Sequence, residues 1–273
     1  MQLFYQRFNV QEYLLFTLLG ITSIVLLANI AGQDVAENTT NIFSIILSGT
    51  VMIFSFFMVS KYGIKGNHGK AWILFMLFST YWFCAETVDI FYNIVFEVDA
   101  WEYANDFFHI TGYQLFFASL VFYLKPFVTQ ISKKLVIGTT VISMSLLIPS
   151  LIMIFDATPD LMNKNYLVLL AYPVLDSIIL IPALIGVVLF FKGGVNFMVS
   201  LMCLGIITQI IGDNSVLFLS LQNLYYRGHM AEILFLWTYA MFSFGLSNQI
   251  GLFRENLDEN LCPACGKTCS GHN

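Results

Sequence analysis

Long apolar segments separated by short polar connections form the main pattern along this chain. Each segment has about 17 to 25 residues, which is the length an α-helix needs to cross the hydrocarbon core of a bilayer. The segments lie at residues 12–31, 42–60, 71–95, 107–124, 135–155, 166–191, 196–221 and 229–250. The pattern predicts an all-α fold, a polytopic membrane bundle of about eight transmembrane helices.

Composition supports the same class of protein. Apolar residues make up 58% of the 273 residues and charged residues only 11%, with a mean hydropathy of +0.77. A soluble domain carries roughly 25% charged residues, so the lipid bilayer is the expected surrounding. The formal net charge is -5 and no basic face is present, which excludes nucleic acid as a main partner.

Basic residues indicate the orientation of the predicted bundle. Of the 12 Lys and Arg residues, only Lys164 and Arg227 fall on the side opposite to the termini. Basic residues collect in cytoplasmic connections, so the pattern predicts a multi-pass cell-membrane protein with its N- and C-termini in the cytoplasm. The outer side carries mainly acidic residues, which would attract cations.

The two ends of the chain allow more than one interpretation. The apolar run 13–30 follows Arg7 and could be a signal peptide cleaved near Ala28 or Ala31, but it is long for one and is retained as the first helix. No soluble insert separates the spans. The predicted domains are a transmembrane bundle at 1–250 and a cytoplasmic Cys-rich tail at 251–273.

Ionisable residues inside the apolar segments are the main functional signal. Such residues are costly in hydrocarbon, so they are rare there and mark polar interiors. Helical spacing places Glu86 and Asp89 on one face of their helix, and Tyr172 and Asp176 on one face of theirs. The predicted ligand or cation pocket consists of Glu86, Asp89, His109, Tyr172, Asp176, Asp213, Glu232 and Tyr239.

Depth suggests that these side chains meet. Counted at about 1.5 Å of rise per residue, most of them reach the outer half of the bilayer, and Asp176 lies near the middle. No Lys or Arg lies within the apolar segments, so the carboxyl groups must be protonated, hydrogen-bonded, hydrated or bound to a cation. Solvation near the interface and polar contacts between helices are the structural alternatives.

A catalytic metal site inside the membrane has less support. His109, His229 and nearby carboxylates are ligand types that zinc accepts, but no paired-His motif occurs. There is also no Ser-His-Asp arrangement with a nucleophile elbow and no Gly-rich phosphate loop. The sequence favours a protein without enzymatic activity, and an intramembrane metal-dependent hydrolase stays the third hypothesis.

The tail holds the most specific motif of the chain. Cys262, Cys265, Cys269 and His272 lie within eleven residues and can surround one tetrahedral zinc ion. Zinc is therefore the predicted cofactor, with a redox or copper-handling thiol set and an unstructured tail as alternatives. Zinc binding would order the tail into a docking surface for a cytoplasmic signalling partner.

Short motifs in the last three segments resemble a known kind of module. The motifs read, in chain order, Ala171-Tyr172-Pro173-x-x-Asp176, Gly212-Asp213 and Gly228-x-x-x-Glu232, the last followed by Trp237 and Tyr239. In the same order they resemble the YPxxD, (A/G)D and GxxxDxxW patterns of multi-helix membrane sensor modules. Those modules precede diguanylate cyclase or histidine kinase domains in bacterial proteins. This chain has Glu232 where the module often has Asp, and it includes no output domain.

The first functional hypothesis is accordingly a sensory or signalling module with an outward-facing acidic pocket. The alternative is a proton- or cation-coupled transporter that uses the same carboxyl groups. Similar placement of acidic residues and of His109 and His229 in the two halves also allows a 4+4 repeat of parallel halves.

Overall fold

The computed structural model describes residues 2–96, 102–157, 164–191 and 197–258, and these residues form eight long helices. Two short 3-10 segments, Lys125–Gln130 and Met230–Glu232, follow α4 and precede α8. The helices are α1 Gln2–Ala31, α2 Gln33–Tyr62, α3 Gly66–Phe96, α4 Glu102–Leu124, α5 Lys133–Ala157, α6 Lys164–Phe191, α7 Phe197–Leu221 and α8 Ile233–Asp258. All eight contain a segment long and apolar enough to cross a membrane. The predicted all-α architecture is confirmed.

Two predicted boundaries differ from the structure. The second segment was expected to begin at 42, but α2 begins at Gln33, because Gly32 turns the chain with a φ of 133° directly after α1. Asp34 then lies in the first turn of α2, where a negative charge suits the positive end of the helix dipole. α8 itself continues to Asp258, past the end predicted at 250, although its membrane-spanning part ends at Gly251.

Six helices form a closed ring and two pack outside it. Around the ring the order of neighbours is α2, α3, α4, α6, α7 and α8, with α8 returning to α2. α1 packs against α2 and α8, and α5 packs against α6 and α7. All six helices of the ring, together with the α7–α8 connection, contribute residues to the wall of the cavity described below.

The order of neighbours has an approximate two-fold pattern. Exchange of α2 with α6, of α3 with α7 and of α4 with α8 leaves the pairs of neighbouring helices in the ring unchanged. The outer helices α1 and α5 also each pack against the helix that follows them. The 4+4 interpretation stays a prediction, because six helices placed around a ring in chain order have this pattern in any case, and α5 packs against α7 where the counterpart of the α1–α8 contact would be with α4.

Aromatic side chains fill the half of the ring that lies towards the α2–α3 and α4–α5 connections. Trp72, Phe75, Phe78, Phe116 and Phe242 are all fully buried there. Phe116 of α4 stacks on Phe242 of α8 with ring centroids 5.8 Å apart and an interplanar angle of 26°. Close packing in this half confines the open space to the other half.

The prolines of α6 do not interrupt the helix. α6 runs continuously through Pro173 and Pro182, although each proline lacks the N–H that would bond to the preceding turn. The part of the predicted tail that carries Cys262, Cys265, Cys269 and His272 lies outside the described residues.

Candidate ligand-binding cavity

A cavity of about 360 Å³ lies inside the ring, between the aromatic core and the α7–α8 connection. Seven of the eight residues predicted for the pocket line it: Glu86, Asp89, His109, Tyr172, Asp176, Asp213 and Glu232. Tyr239 does not line the cavity, but its hydroxyl donates a hydrogen bond to Glu86 Oε1 at 2.7 Å. The structure thus brings residues from α3, α4, α6, α7 and α8 to one place.

Two tyrosine–carboxylate pairs hold opposite walls of the cavity. Tyr113 of α4 donates a hydrogen bond to Asp213 of α7, and Tyr239 of α8 donates one to Glu86 of α3. One pair joins α4 to α7 and the other joins α8 to α3, so the exchange of α3 with α7 and of α4 with α8 converts one pair of helices into the other. Each tyrosine also lies three residues before a phenylalanine of the stacked pair Phe116 and Phe242. The polar and aromatic layers therefore repeat in both halves.

Asp176 is the most deeply placed carboxylate and the least satisfied. Its side chain is 2% exposed, and Asn214 Nδ2 donates to Asp176 Oδ2 at 3.4 Å. Ser150 fixes this asparagine by donating to Asn214 Oδ1 at 2.6 Å. The other oxygen, Asp176 Oδ1, is buried and has no hydrogen-bond partner among the described residues.

Three further polar atoms on the cavity wall lack a hydrogen-bond partner among the described residues: Asn105 Oδ1, Gln209 Oε1 and Arg227 NH1. Gln209 is 7% exposed, and its Nε2 donates to Asp213 Oδ1 at 3.4 Å. Buried polar atoms in folded proteins are nearly always paired with protein or water, so these atoms mark the part of the wall that would hold a polar ligand or water.

Tyr172 and His109 complete the wall near α4. Tyr172 donates to Asp106 Oδ1 at 2.6 Å, so its hydroxyl is held by the first turns of α4. The ring of His109 packs edge-on against Trp82, with centroids 5.9 Å apart. The Trp82 indole N–H also donates to the backbone carbonyl of His109 at 3.4 Å. Tyr172 is thus held by a carboxylate and His109 by the Trp82 ring.

The connection between α7 and α8 folds against the bundle beside the cavity. Glu232 Oε1 accepts hydrogen bonds from the Tyr225 hydroxyl at 2.7 Å and from the Gly228 N–H at 2.8 Å. Asn29 of α1 donates to the Gly228 carbonyl at 3.0 Å and accepts from the Tyr226 hydroxyl at 2.6 Å. These bonds tie the connection to α1 and to the start of α8.

Burial changes the acidity of two groups in this connection, both outside the membrane-spanning segments. Burial, together with the adjacent carboxylate of Glu232, raises the pKa of the Tyr225 hydroxyl above its ordinary value. Burial lowers the pKa of His229. Tyr225 therefore stays a donor to Glu232, and His229 stays neutral at pH 7.

Arg227 corrects the expectation that no basic residue neutralises the carboxyl groups. It belongs to the α7–α8 connection, yet its guanidinium reaches the cavity wall and forms an ion pair with Asp89 of α3. Its NH1 atom lies 3.9 Å from Glu37 Oε1 of α2. Counting basic residues by predicted segment missed it, because a long side chain can reach into a bundle from a neighbouring connection.

The described residues do not form a metal site. No group of three His, Cys, Asp or Glu side chains among them comes close enough to hold a metal ion. His229 instead caps the start of the 3-10 turn, where its Nδ1 accepts a hydrogen bond from the N–H of Ala231 at 3.1 Å. The zinc site predicted for the tail falls on residues that the structure does not describe.

Comparison of the chain with protein-family models, with curated proteins and with solved structures finds no match. Any functional assignment therefore has to be argued from the cavity and its surroundings.

Proposed function

We propose that this multi-pass membrane protein is a sensor whose cavity binds a small polar or cationic ligand and relays binding to the opposite end of the bundle. The observation that carries the proposal is a cavity inside the bundle with buried polar atoms on its wall that have no hydrogen-bond partner among the described residues. Its volume of about 360 Å³ lies within the range of small-molecule sites, roughly 300 to 1,000 Å³.

The aromatic core below the cavity favours binding without passage. Three aromatic side chains of α3 follow one another from the cavity towards the start of the helix: Trp82, Phe78 and Phe75. Each is at most 1% exposed. Phe116 and Phe242 pack against them from α4 and α8. A ligand that enters the cavity meets these packed rings on the side of the aromatic core.

The same rings supply a route for the relay. Trp82 contacts Tyr113 and Tyr239, the tyrosines that hold Asp213 and Glu86, with ring centroids 5.4 and 6.0 Å apart. From there contacts continue through four rings to the other end of the bundle: Phe78, Phe75, Trp72 and Tyr62. A ligand needs only to favour one of two packings of this column to change the far end.

The resemblance of the YPxxD-like and GxxxD-like motifs to bacterial sensor modules agrees with this proposal. The distribution of basic residues favours an orientation with the cavity towards the outer side of the membrane and the end of the column towards the cytoplasm. In this orientation an external ligand would change the cytoplasmic surface, where the tail or a signalling partner would respond.

A transporter is the second candidate, and the two-fold arrangement of the ring favours it. Transporters are often built from repeated halves with the binding site at their interface, as in this bundle. In that case the aromatic core would have to open on the other side during a transport cycle.

Spin-label distances test the relay without requiring a known ligand. Labels would be placed at Lys65→Cys and Lys133→Cys, two exposed positions at the end opposite the cavity, in a variant without the five native cysteines. Arg227→Gln, which breaks the ion pair with Asp89, should shift the distance distribution. Asp34→Asn removes an exposed charge in the first turn of α2 and should leave the distance distribution unchanged.

An unchanged distribution in Arg227→Gln would contradict the relay and hence the sensor proposal. Uptake of radiolabelled methylammonium into proteoliposomes addresses the transporter. Uptake that depends on the protein and is lost in Asp176→Asn would favour transport, whereas no uptake above empty liposomes is expected of a sensor.

A further inference from the structure

We infer that the ligand of the cavity is a primary amine, whose ammonium group lies between Asp176, Gln209 and Asp213 at the α6–α7 wall. This inference rests on the proposed ligand-binding function and specifies the chemical class of the ligand. It follows from the kind of atoms that lack a partner, from the charges on the cavity wall and from the groups that this part of the wall offers to a ligand.

The unpaired atoms at this wall are acceptors. Asp176 Oδ1 and Gln209 Oε1 are both buried and both lack a partner among the described residues. With Asp213 ionised, its hydrogen bond orients the Gln209 amide, because only Nε2 can donate to a carboxylate. The Gln209 Oε1 then has no donor among the described residues, so an occupant at this wall would present N–H or O–H groups.

The charges on the cavity wall favour a positive occupant. Five carboxyl groups line the cavity, those of Glu86, Asp89, Asp176, Asp213 and Glu232, and Arg227 is the one Lys or Arg among the described residues that line it. Arg227 forms an ion pair with Asp89, whereas no Lys or Arg forms one with Asp176 among the described side chains. A buried carboxylate without a cationic partner is strongly unfavourable, and a cationic ligand would act at Asp176 as Arg227 does at Asp89.

The geometry fits an ammonium group better than a metal ion. A primary ammonium has three N–H donors, and the wall offers oxygens of three residues: Asp176, Gln209 and Asp213. The rings of Tyr113 and Tyr172 meet edge-to-face beside them, with centroids 6.2 Å apart, and offer aromatic surface to an alkyl ammonium. No three metal-ligating side chains come together among the described residues.

Calorimetric titration of the purified full-length protein in lipid nanodiscs tests the inference with three probes of similar length. n-Butylammonium carries both the charge and the N–H donors, N,N,N-trimethylbutylammonium keeps only the charge, and 1-butanol lacks the charge. We expect saturable binding of n-butylammonium, and binding of the other two that is weaker by at least about tenfold, because hydrogen bonds to charged groups are lost.

Variants locate the binding. Asp176→Asn and Gln209→Met should each weaken n-butylammonium binding by about tenfold or more, since each removes one acceptor of an ammonium hydrogen bond. Both replacements are close in size to the native side chain, and melting temperatures without ligand show whether the variants are folded. Asp34→Asn, an exposed carboxylate outside the cavity, should bind the probe like the native protein.

Two results would overturn the inference. Equal affinity for n-butylammonium and its trimethylated analogue would show that N–H donation is not recognised, and absence of saturable n-butylammonium binding would exclude a primary amine site. Neither result affects the sensor proposal. That proposal fails only if the spin-label distances are unchanged by Arg227→Gln on the cavity wall.

Discussion

At the scale of single residues, the tyrosine–carboxylate pairs carry much of the polar organisation. Glu86 accepts a hydrogen bond from Tyr239 and Asp213 accepts one from Tyr113, and both tyrosines are at most 3% exposed. Because water has little access to these bonds, loss of the donor leaves a buried acceptor without compensation.

Tyr239→Phe should lower the free energy of unfolding by about 1 to 3 kcal/mol, since it removes the donor to Glu86. The loss should be smaller when Glu86 is already replaced by Gln, and a double-mutant cycle by chemical denaturation in detergent measures the difference. Tyr13→Phe, on an exposed side chain of α1, is the control and should have almost no effect. Equal losses in both backgrounds would show that the pair is not coupled.

Gly228 is fixed by its backbone conformation and by its neighbours. Its φ is 83°, and a Cβ at this position would collide with backbone atoms of Ala36 and Glu37 in α2. Gly228→Ala should therefore lower the melting temperature and cost about 1 to 3 kcal/mol of stability. Gly138→Ala is the matched control: Gly138 lies in α5 with open space around its Cα, and alanine there should stabilise the helix. Equal behaviour of the two variants would contradict the close contact.

Arg227 shows what residue-level prediction from the sequence could and could not achieve. The carboxyl groups were recognised because a charge inside an apolar segment stands out against its neighbours. Arg227 gave no such signal, since it lies in a polar connection where basic residues are ordinary. Its side chain reaches Asp89 only because α3 and the α7–α8 connection are adjacent in the fold.

At the scale of elements, the α7–α8 connection depends on a neutral His229. Its Nδ1 accepts the hydrogen bond from Ala231 that begins the 3-10 turn before α8. Burial lowers the pKa of His229, so between its folded and unfolded values the unfolded chain binds more protons. This contribution to stability is present above the unfolded pKa, about 6.5, and is lost as the pH falls below it.

Acidification should therefore loosen the start of α8. Hydrogen exchange of the amides at 230–233, corrected for the intrinsic rate at each pH, should become faster at pH 5 than at pH 7. His229→Asn keeps a capping acceptor that does not titrate, so this variant should show no such change. The same increase in His229→Asn would assign the effect to another group.

Element boundaries illustrate a second limit of the sequence. Polar residues after Gly32 predicted a loop, yet α2 begins at Gln33. Hydrophobic patterning detects the part of a helix inside the membrane and gives no signal for polar turns that extend beyond it. The extension matters because Ala36 and Glu37, in these added turns, pack against Gly228.

At the scale of the whole molecule, the aromatic core closes the cavity and holds the ring together. Phe78 contacts Trp82, Phe116 and Phe242, which belong to three different helices. Phe78→Ala should cost about 3 to 5 kcal/mol of stability, because the cavity it leaves is surrounded by fixed helices. Phe57→Ala, on an α2 side chain that is 53% exposed, should cost far less. Thermal denaturation in nanodiscs compares the two, and similar losses would contradict a packed core at Phe78.

The sequence alone determined the class of fold, the number of spans and seven residues of the cavity wall, among them its five carboxyl groups. It could do so because transfer of side chains between water and hydrocarbon is a strong local effect, visible residue by residue. The tertiary structure decided which carboxyl groups are satisfied: Asp89 by Arg227, Glu86 by Tyr239, and Asp176 by only one of its two oxygens. Those partners lie far apart in the chain, and hydrogen bonds act only over about 3 Å, so packing of the helices alone selects them.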